Sequence, residues 1–317
     1  MLSIHLLGSP KILRDGEPLT LSRRKSRAVI YYLAAHPGPV GREQLLGLFW
    51  PDLDRPSAQQ TLRTTLHGLR QALGAAMSVD DGALDLAPEV EVDSREFEAA
   101  LAPRHGTESP AAAPDEAAAL MAALDLYQGD FLEGFSLPDS AGFEDWAAAE
   151  RERLRRLAVR GLAALARSYE AQGDYPLALA TLDRALAFDA LQEDLQREAL
   201  RLHFLAGDRT GAIRRYAHLR QLLDEEMGVL PMAETRALYD SILSDKPLPP
   251  PSAPAGAAAS PPRAVSAARS SSAAGSQPDG QPASQPASTG QTDVPFAGRE
   301  PELAMLRGML AAMMKRR

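Results

Sequence analysis

The stretch RPSAQQTLRTTLHGLRQALG, residues 55–74, holds the densest run of side chains able to read another molecule. Leu62, Leu66, Leu69 and Leu73 recur at helical spacing, with Ala58 one turn earlier, which predicts a helix with one buried face. Its other face carries Gln59, Gln60, Arg63, Thr64, His67, Arg70 and Gln71, and no acid. Solvated helices ordinarily mix Glu with Lys for pairing at i,i+4. One reading is a polar helix with an incidental basic bias. The other is an interface with duplex DNA, where arginine pairs with guanine, glutamine with adenine, and threonine meets a thymine methyl. Each good contact of that kind discriminates by about 1–3 kcal/mol, and acids would face phosphates and lose affinity.

The flanking elements decide how such a helix is held. Two earlier helices are expected, RRKSRAVIYYLAAH ended by Pro37-Gly38 and GREQLLGLFW stopped by Pro51, with Gly74 closing the third. Short strands precede them, LSIHLLG and KILRDGEPLTL, the latter turning at Asp15-Gly16. A second hairpin, SVDDGALDL, follows with its turn at Asp81-Gly82. Three helices and a hairpin make the plan of a winged helix, in which the third helix enters the major groove. In that setting Gln60, Arg63, Thr64 and His67 face bases. Arg23, Arg24, Lys25, Arg27 and Arg42 contact phosphates, and Arg55 and Arg70 serve either role. The run RRKSR could equally serve solubility, but cations at a helix N-terminus oppose its dipole, and phosphate contact gives them a reason to be there.

Charge is distributed to match. Residues 1–74 hold ten Lys and Arg against five acids, in a chain whose net charge is −8, so a polyanion would meet the N-terminal segment. There is no cysteine, which excludes disulfides, thiol catalysis and cysteine-ligated zinc. Neither a long apolar span nor a charged-then-apolar leader is present, and the expectation is a cytoplasmic protein with no membrane contact. His67 is the one histidine on the candidate face; His5, His36, His105, His203 and His218 are scattered, so no metal site is expected. No nucleophile–base pair, Gly-rich phosphate loop or carboxylate pair can be placed. The expectation is therefore a non-enzyme without a cofactor.

Residues 93–245 read as helical, interrupted by an Ala/Pro-rich loop near 103–114. A repeat of period 34 runs through them: Tyr169, Gly173, Asp174 and Ala178 correspond to His203, Gly207, Asp208 and Ala212. That is the tetratricopeptide length, two antiparallel helices per unit with small residues where they cross. Tyr169, Tyr175, Tyr216 and Tyr239 fit the core of such units, and EDWAAAERERLRR (144–156) a charged helix face. Residues 246–294 are Pro, Ala, Ser, Gly and Gln with almost no aliphatic period, the composition of a disordered linker. FAGREPELAMLRGMLAAMMKRR, within 295–317, then looks like the start of a further, truncated domain.

RRKSRAVIYYLAAHPGPVGREQLLGLFWPD followed by SAQQTLRTTLHGLRQALG resembles the OmpR-type winged helix of the Streptomyces antibiotic regulatory protein (SARP) family. LDLYQGDFLEGF, WAAAERERLRRL and the run from ARSYEAQGDYPLALATLDRAL to YAHLRQLLDEEMGVLPMAETRALYDSIL are similar to that family's bacterial transcriptional activation domain. FAGREPEL is similar to the opening of the signal-transduction NTPase module of larger members, in which Gly298, Arg299 and Glu300 would lie near the adenine. No GxxxxGK occurs, so ATP binding is not expected of this chain. The resemblance implies an activator that binds direct repeats upstream of a promoter and recruits RNA polymerase, as a homodimer on DNA. It also implies that the loop WPDLDRPS faces polymerase, with Asp52 and Asp54 as its exposed acids. One departure concerns the wing, whose tip carries Asp80 and Asp81 where cations are common; either the wing stands off the DNA or the groove geometry differs.

The expected fold is therefore mainly α: a winged helix-turn-helix (α+β) over 1–92, a tetratricopeptide-like helical domain over 93–245, the linker over 246–294 and the start of an NTPase module over 295–317. The rival reading is a tetratricopeptide adaptor of a larger ATPase, with the winged helix binding protein.

Overall fold

A computed structural model describes residues 1–80, 82–102 and 114–244. The expectations for 246–294 and 295–317, for the loop at 103–113 and for Asp81 lie outside the described residues, as do the side chain of Asp80 and the residues Gly298, Arg299 and Glu300.

The chain opens with β1 (Leu2–His5), whose residues alternate buried and half-buried, as a strand covered on one face requires. β1 pairs antiparallel with β2 (Lys11–Arg14), Ile4 opposite Ile12. Asp15 and Gly16 both have positive φ, 52° and 85°, the twist a two-residue hairpin needs, and they return the chain to β3 (Glu17–Pro18).

α1 (Arg24–Ala35) is buried continuously from Ala28 to Ala34, the signature of a helix covered on nearly every side. Then come β4 (Val40–Gly41), α2 (Arg42–Phe49) and α3 (Arg55–Leu73). α3 has an ordered start and stop. Asp54 accepts a hydrogen bond from the Ser57 N–H at 3.2 Å, Pro56 occupies the first turn, and Gly74 at φ 60° ends the helix by donating its N–H to the Arg70 carbonyl. A single 3-10 turn leads into the hairpin β5 (Met77–Asp80) and β6 (Ala83–Leu86), in register Asp80 opposite Ala83. β6 also pairs with β4, making a three-stranded wing sheet. β7 (Glu91–Val92) runs back parallel to β1 and completes a four-stranded sheet in the order β3-β2-β1-β7.

Seven helices follow among the described residues: α4 (Asp93–Leu101), α5 (Pro114–Asp125), α6 (Ala141–Ala171), α7 (Tyr175–Leu186), α8 (Glu193–Leu205), α9 (Arg209–Met227) and α10 (Ala233–Leu243). The fold is mainly α with an N-terminal winged helix-turn-helix. The 34-residue period has a structural basis. Gly173 and Gly207 both sit at φ 79°. Asp174 and Asp208 cap the helices that follow, accepting from Leu177 N–H at 3.1 Å and Gly211 N–H at 2.8 Å. Ala178 and Ala212 are fully buried where paired helices meet.

The winged helix and the following helices share one hydrophobic core, continuous from Leu2 to Leu202. Its seam is aromatic. Tyr31 meets Phe135 edge-on at 5.2 Å, Tyr32 meets Trp146 at 4.6 Å, and Phe49 lies 5.5 Å from Phe143. Polar contacts tie the same joint. Ser140 Oγ donates to the Leu48 carbonyl at 2.6 Å, and Arg95 donates to the carbonyls of Leu33 and His36 at the end of α1. Asp93 is buried and accepts from the N–H groups of Leu6 (2.8 Å), Leu7 (3.1 Å) and Ser94 (2.7 Å), pinning β1 to the start of α4. Burial pushes its carboxyl pKa up, opposed by those hydrogen bonds and by nearby His5.

Candidate nucleic-acid interface

α3 divides as its sequence demands. Ala58, Leu62, Leu66, Leu69 and Leu73 are buried, joined by Thr65, whose hydroxyl donates to the Thr61 carbonyl at 2.9 Å and so costs little inside the core. Gln60, Arg63, Thr64, His67, Arg70 and Gln71 are exposed, with Gln59 half-buried. The four residues expected to read bases therefore lie together on one outward stripe. Arg63 and Arg70 make no ion pair among the described residues. Thr64 donates its hydroxyl to the Gln60 carbonyl at 3.1 Å, and Gln71 Nε2 lies 3.1 Å from His67 Nε2.

Arg42, Glu43, Gln59 and Arg63 line one groove between α2 and α3, bringing an expected phosphate cation beside an expected base reader. Arg55 pairs with Glu43 at 2.8 Å, both side chains remaining about 70% exposed (71% and 68%). An exposed pair of this kind is weak enough to open for a phosphate.

The basic run ahead of α1 splits in two. Arg23 and Arg24 are exposed. Lys25 instead pairs with Asp139 at 2.9 Å and lies 5.6 Å above the Trp50 ring, and Arg27 lies 5.6 Å over Phe135 with its Nε buried and unpartnered. Both are half-buried and engaged with residues 135–139 or Trp50. Of the five cations expected at phosphates, Arg23, Arg24 and Arg42 are exposed, while Lys25 and Arg27 are engaged by Asp139 and Phe135.

The turn between α2 and α3 exposes Asp52 and Asp54. Asp54 already has a structural task as the cap of α3, and hydrogen bonds from Ser57, side chain and backbone, hold its carboxyl below the usual carboxylate range. Asp52 makes no ion pair among the described residues. One contributor escaped the sequence reading: Arg14 on β2 donates to the Ala72 carbonyl at 2.7 Å, satisfying the last turn of α3 from another element.

Residues 92–243 match the bacterial transcriptional activator domain. The chain is 26% identical over 265 residues to the transcriptional regulatory protein EmbR of Mycobacterium tuberculosis, covering 78% of this chain and 64% of that protein. It is 26% identical over 261 residues to the regulatory protein AfsR of Streptomyces coelicolor, covering 78% of this chain but 24% of AfsR. The chain thus spans under two thirds of EmbR and about a quarter of AfsR. The solved structure of M. tuberculosis EmbR, in complex with a low affinity phosphopeptide, superposes with a TM-score of 0.59 at 23% identity, covering 78% of this chain and 66% of that one. It shares the fold. The chain is similar to SARP-type transcriptional regulators. Among the described residues, no helix is long and apolar enough to cross a membrane.

Proposed function

We propose that this chain is a sequence-specific, DNA-binding transcriptional activator. The observation that carries the reading is the outward face of α3, exposed over its length, free of acids, and edged by Arg42 and Arg70. Gln60, Arg63, Thr64 and His67 read base edges in the major groove, and Arg23, Arg24 and Arg42 neutralise phosphates. Arg55 joins them when its pair with Glu43 opens. The family resemblance supports binding at promoter repeats by two protomers and recruitment of RNA polymerase through the α2–α3 turn. On that turn Asp52 is the acid free to meet polymerase, since Asp54 holds the helix cap.

Selection of bound duplexes from a random pool at physiological salt tests the reading. Enrichment of a short repeated motif is expected, with affinity falling steeply as salt rises because each phosphate contact releases counterions. Recovery of no motif, together with salt-insensitive capture of a protein partner, would favour an adaptor whose winged helix binds protein.

A further inference from the structure

Apart from its capping Asp208, α9 (Arg209–Met227) carries its charge against its own dipole. Its first turn has no acid and its last turn no base. Arg209 and Arg214 lie toward its N-terminus, and Asp224, Glu225 and Glu226 crowd its C-terminus, all exposed. Each set faces the helix pole of its own sign, which is unfavourable for an isolated helix. Arg214, Asp224, Glu225 and Glu226 make no ion pair among the described residues.

The face concerned points away from the protein. Ala212, Tyr216, Leu219 and Leu223 are the buried side of α9. Arg214, His218, Gln221 and Glu225 recur at i, i+4, i+7 and i+11, one straight stripe on the opposite side, and all four are exposed. Apolar residues are exposed beyond both ends. Met227, Val229 and Leu230 follow the C-terminus, with Leu230 67% accessible. At the N-terminal end lie Leu205, four residues before Arg209, and Leu243, whose carbonyl accepts a hydrogen bond from Arg209.

The occupant that answers all of these features is α9 itself. We propose that α9 pairs antiparallel with α9 of a second copy, about a two-fold axis crossing between Leu219 and Arg220. Such an axis sets Arg214 against Glu225 and His218 against Gln221, each contact occurring twice, as an isologous interface requires. It brings the acidic end of one helix to the positive pole of the other, so side chains and dipoles are both compensated. It also carries Met227, Val229 and Leu230 toward the partner end that exposes Leu205 and Leu243. The pairing involves none of the residues assigned to DNA. A two-fold axis orients the two α3 helices for an inverted site, so the two protomers on a direct repeat would come from separate pairs.

Charge reversal tests the pairing in solution without DNA. Arg214 and Glu225 are eleven residues apart on one rigid helix, roughly 16 Å, too far to pair within a chain. Sedimentation velocity of the full chain at low salt should show a dimer that dissociates as salt rises. Arg214→Glu and Glu225→Arg should each weaken it roughly tenfold or more. The variant carrying both changes should recover the dimer, since only contacts between chains can restore the match. A monomer at every concentration, single variants that dimerise like the parent, or a double variant as monomeric as the singles would each overturn the proposal.

Discussion

α1 and α3 belong to one small scaffold and both begin in basic sequence, yet their cations meet different surroundings. In α1, Lys25 reaches Asp139 and Arg27 covers Phe135, while the helix body from Ala28 to Ala34 is buried. In α3, Arg63 and Arg70 project from an exposed stripe and make no ion pair among the described residues. The difference shows that a cation count does not locate a polyanion site. α1 is a docking helix that binds the winged helix to the segment after it; α3 has its leucines in the core and its polar face left over. The helical segment thus braces the winged helix from behind.

The largest effect expected from breaking this arrangement lies at the seam. Phe143 is fully buried, 5.5 Å from Phe49 and 5.3 Å from Trp146. Phe143→Ala should destabilise the chain by roughly 3–5 kcal/mol through lost burial and a residual cavity. Because the core is shared, urea unfolding followed by fluorescence and by circular dichroism should move as one transition. Two transitions, only one of them shifted, would mean that α1 does not bind the two regions together.

Next in size is the outward face of α3. Arg63→Ala should cost about 1–3 kcal/mol on the preferred duplex, roughly ten- to hundredfold in Kd, and relax the preference at one position. Its effect on a scrambled duplex should be small. Equal losses on both duplexes would return Arg63 to the phosphate contacts and leave base reading to Gln60, Thr64 and His67.

Much of this organisation was legible in sequence because it is local. The leucines of α3 repeat at helical spacing, and a stripe needs no partner to be seen. Asp15-Gly16, Gly74, Gly173 and Gly207 mark turns because positive φ selects Gly and Asp almost regardless of context. The repeat of Gly-Asp at 34 residues could be read for the same reason. What stayed hidden are contacts between distant segments: Lys25 with Asp139, Arg14 with Ala72, Arg95 with the end of α1. The run AVIYYLAA announced a helix, but neither that it would be buried on most sides nor that residues 131–146 would bury it. A cation that neutralises a carboxylate more than a hundred residues away reads in sequence just like one that awaits a phosphate.

A smaller effect is expected at the start of α1, where Arg24 is exposed. Arg24→Ala should weaken every duplex about equally and reduce the slope of log K against log salt by about one. That uniformity, against the selective loss in Arg63→Ala, separates positioning from reading. A change of sequence preference in the Arg24 variant would place it in the groove instead.

The smallest effect is expected at Lys25, and it is the most direct test of the contrast between the two helices. Its side chain is three-quarters shielded (25% exposed), its ammonium 2.9 Å from the carboxylate of Asp139, whose side chain is 65% exposed. A pair so open to solvent on one side contributes no more than about 1 kcal/mol, so Lys25→Ala should shift unfolding by about that or less. Salt lowers this contribution further, and at high salt the variant and parent should converge. On DNA the variant should be indistinguishable from the parent in affinity, preference and salt slope, because its charge is already matched by Asp139. If Lys25→Ala instead lowered the salt slope as Arg24→Ala does, the pair with Asp139 would have to open on binding. Lys25 would then join Arg24 as a phosphate contact, and α1 could no longer be set apart as a docking helix.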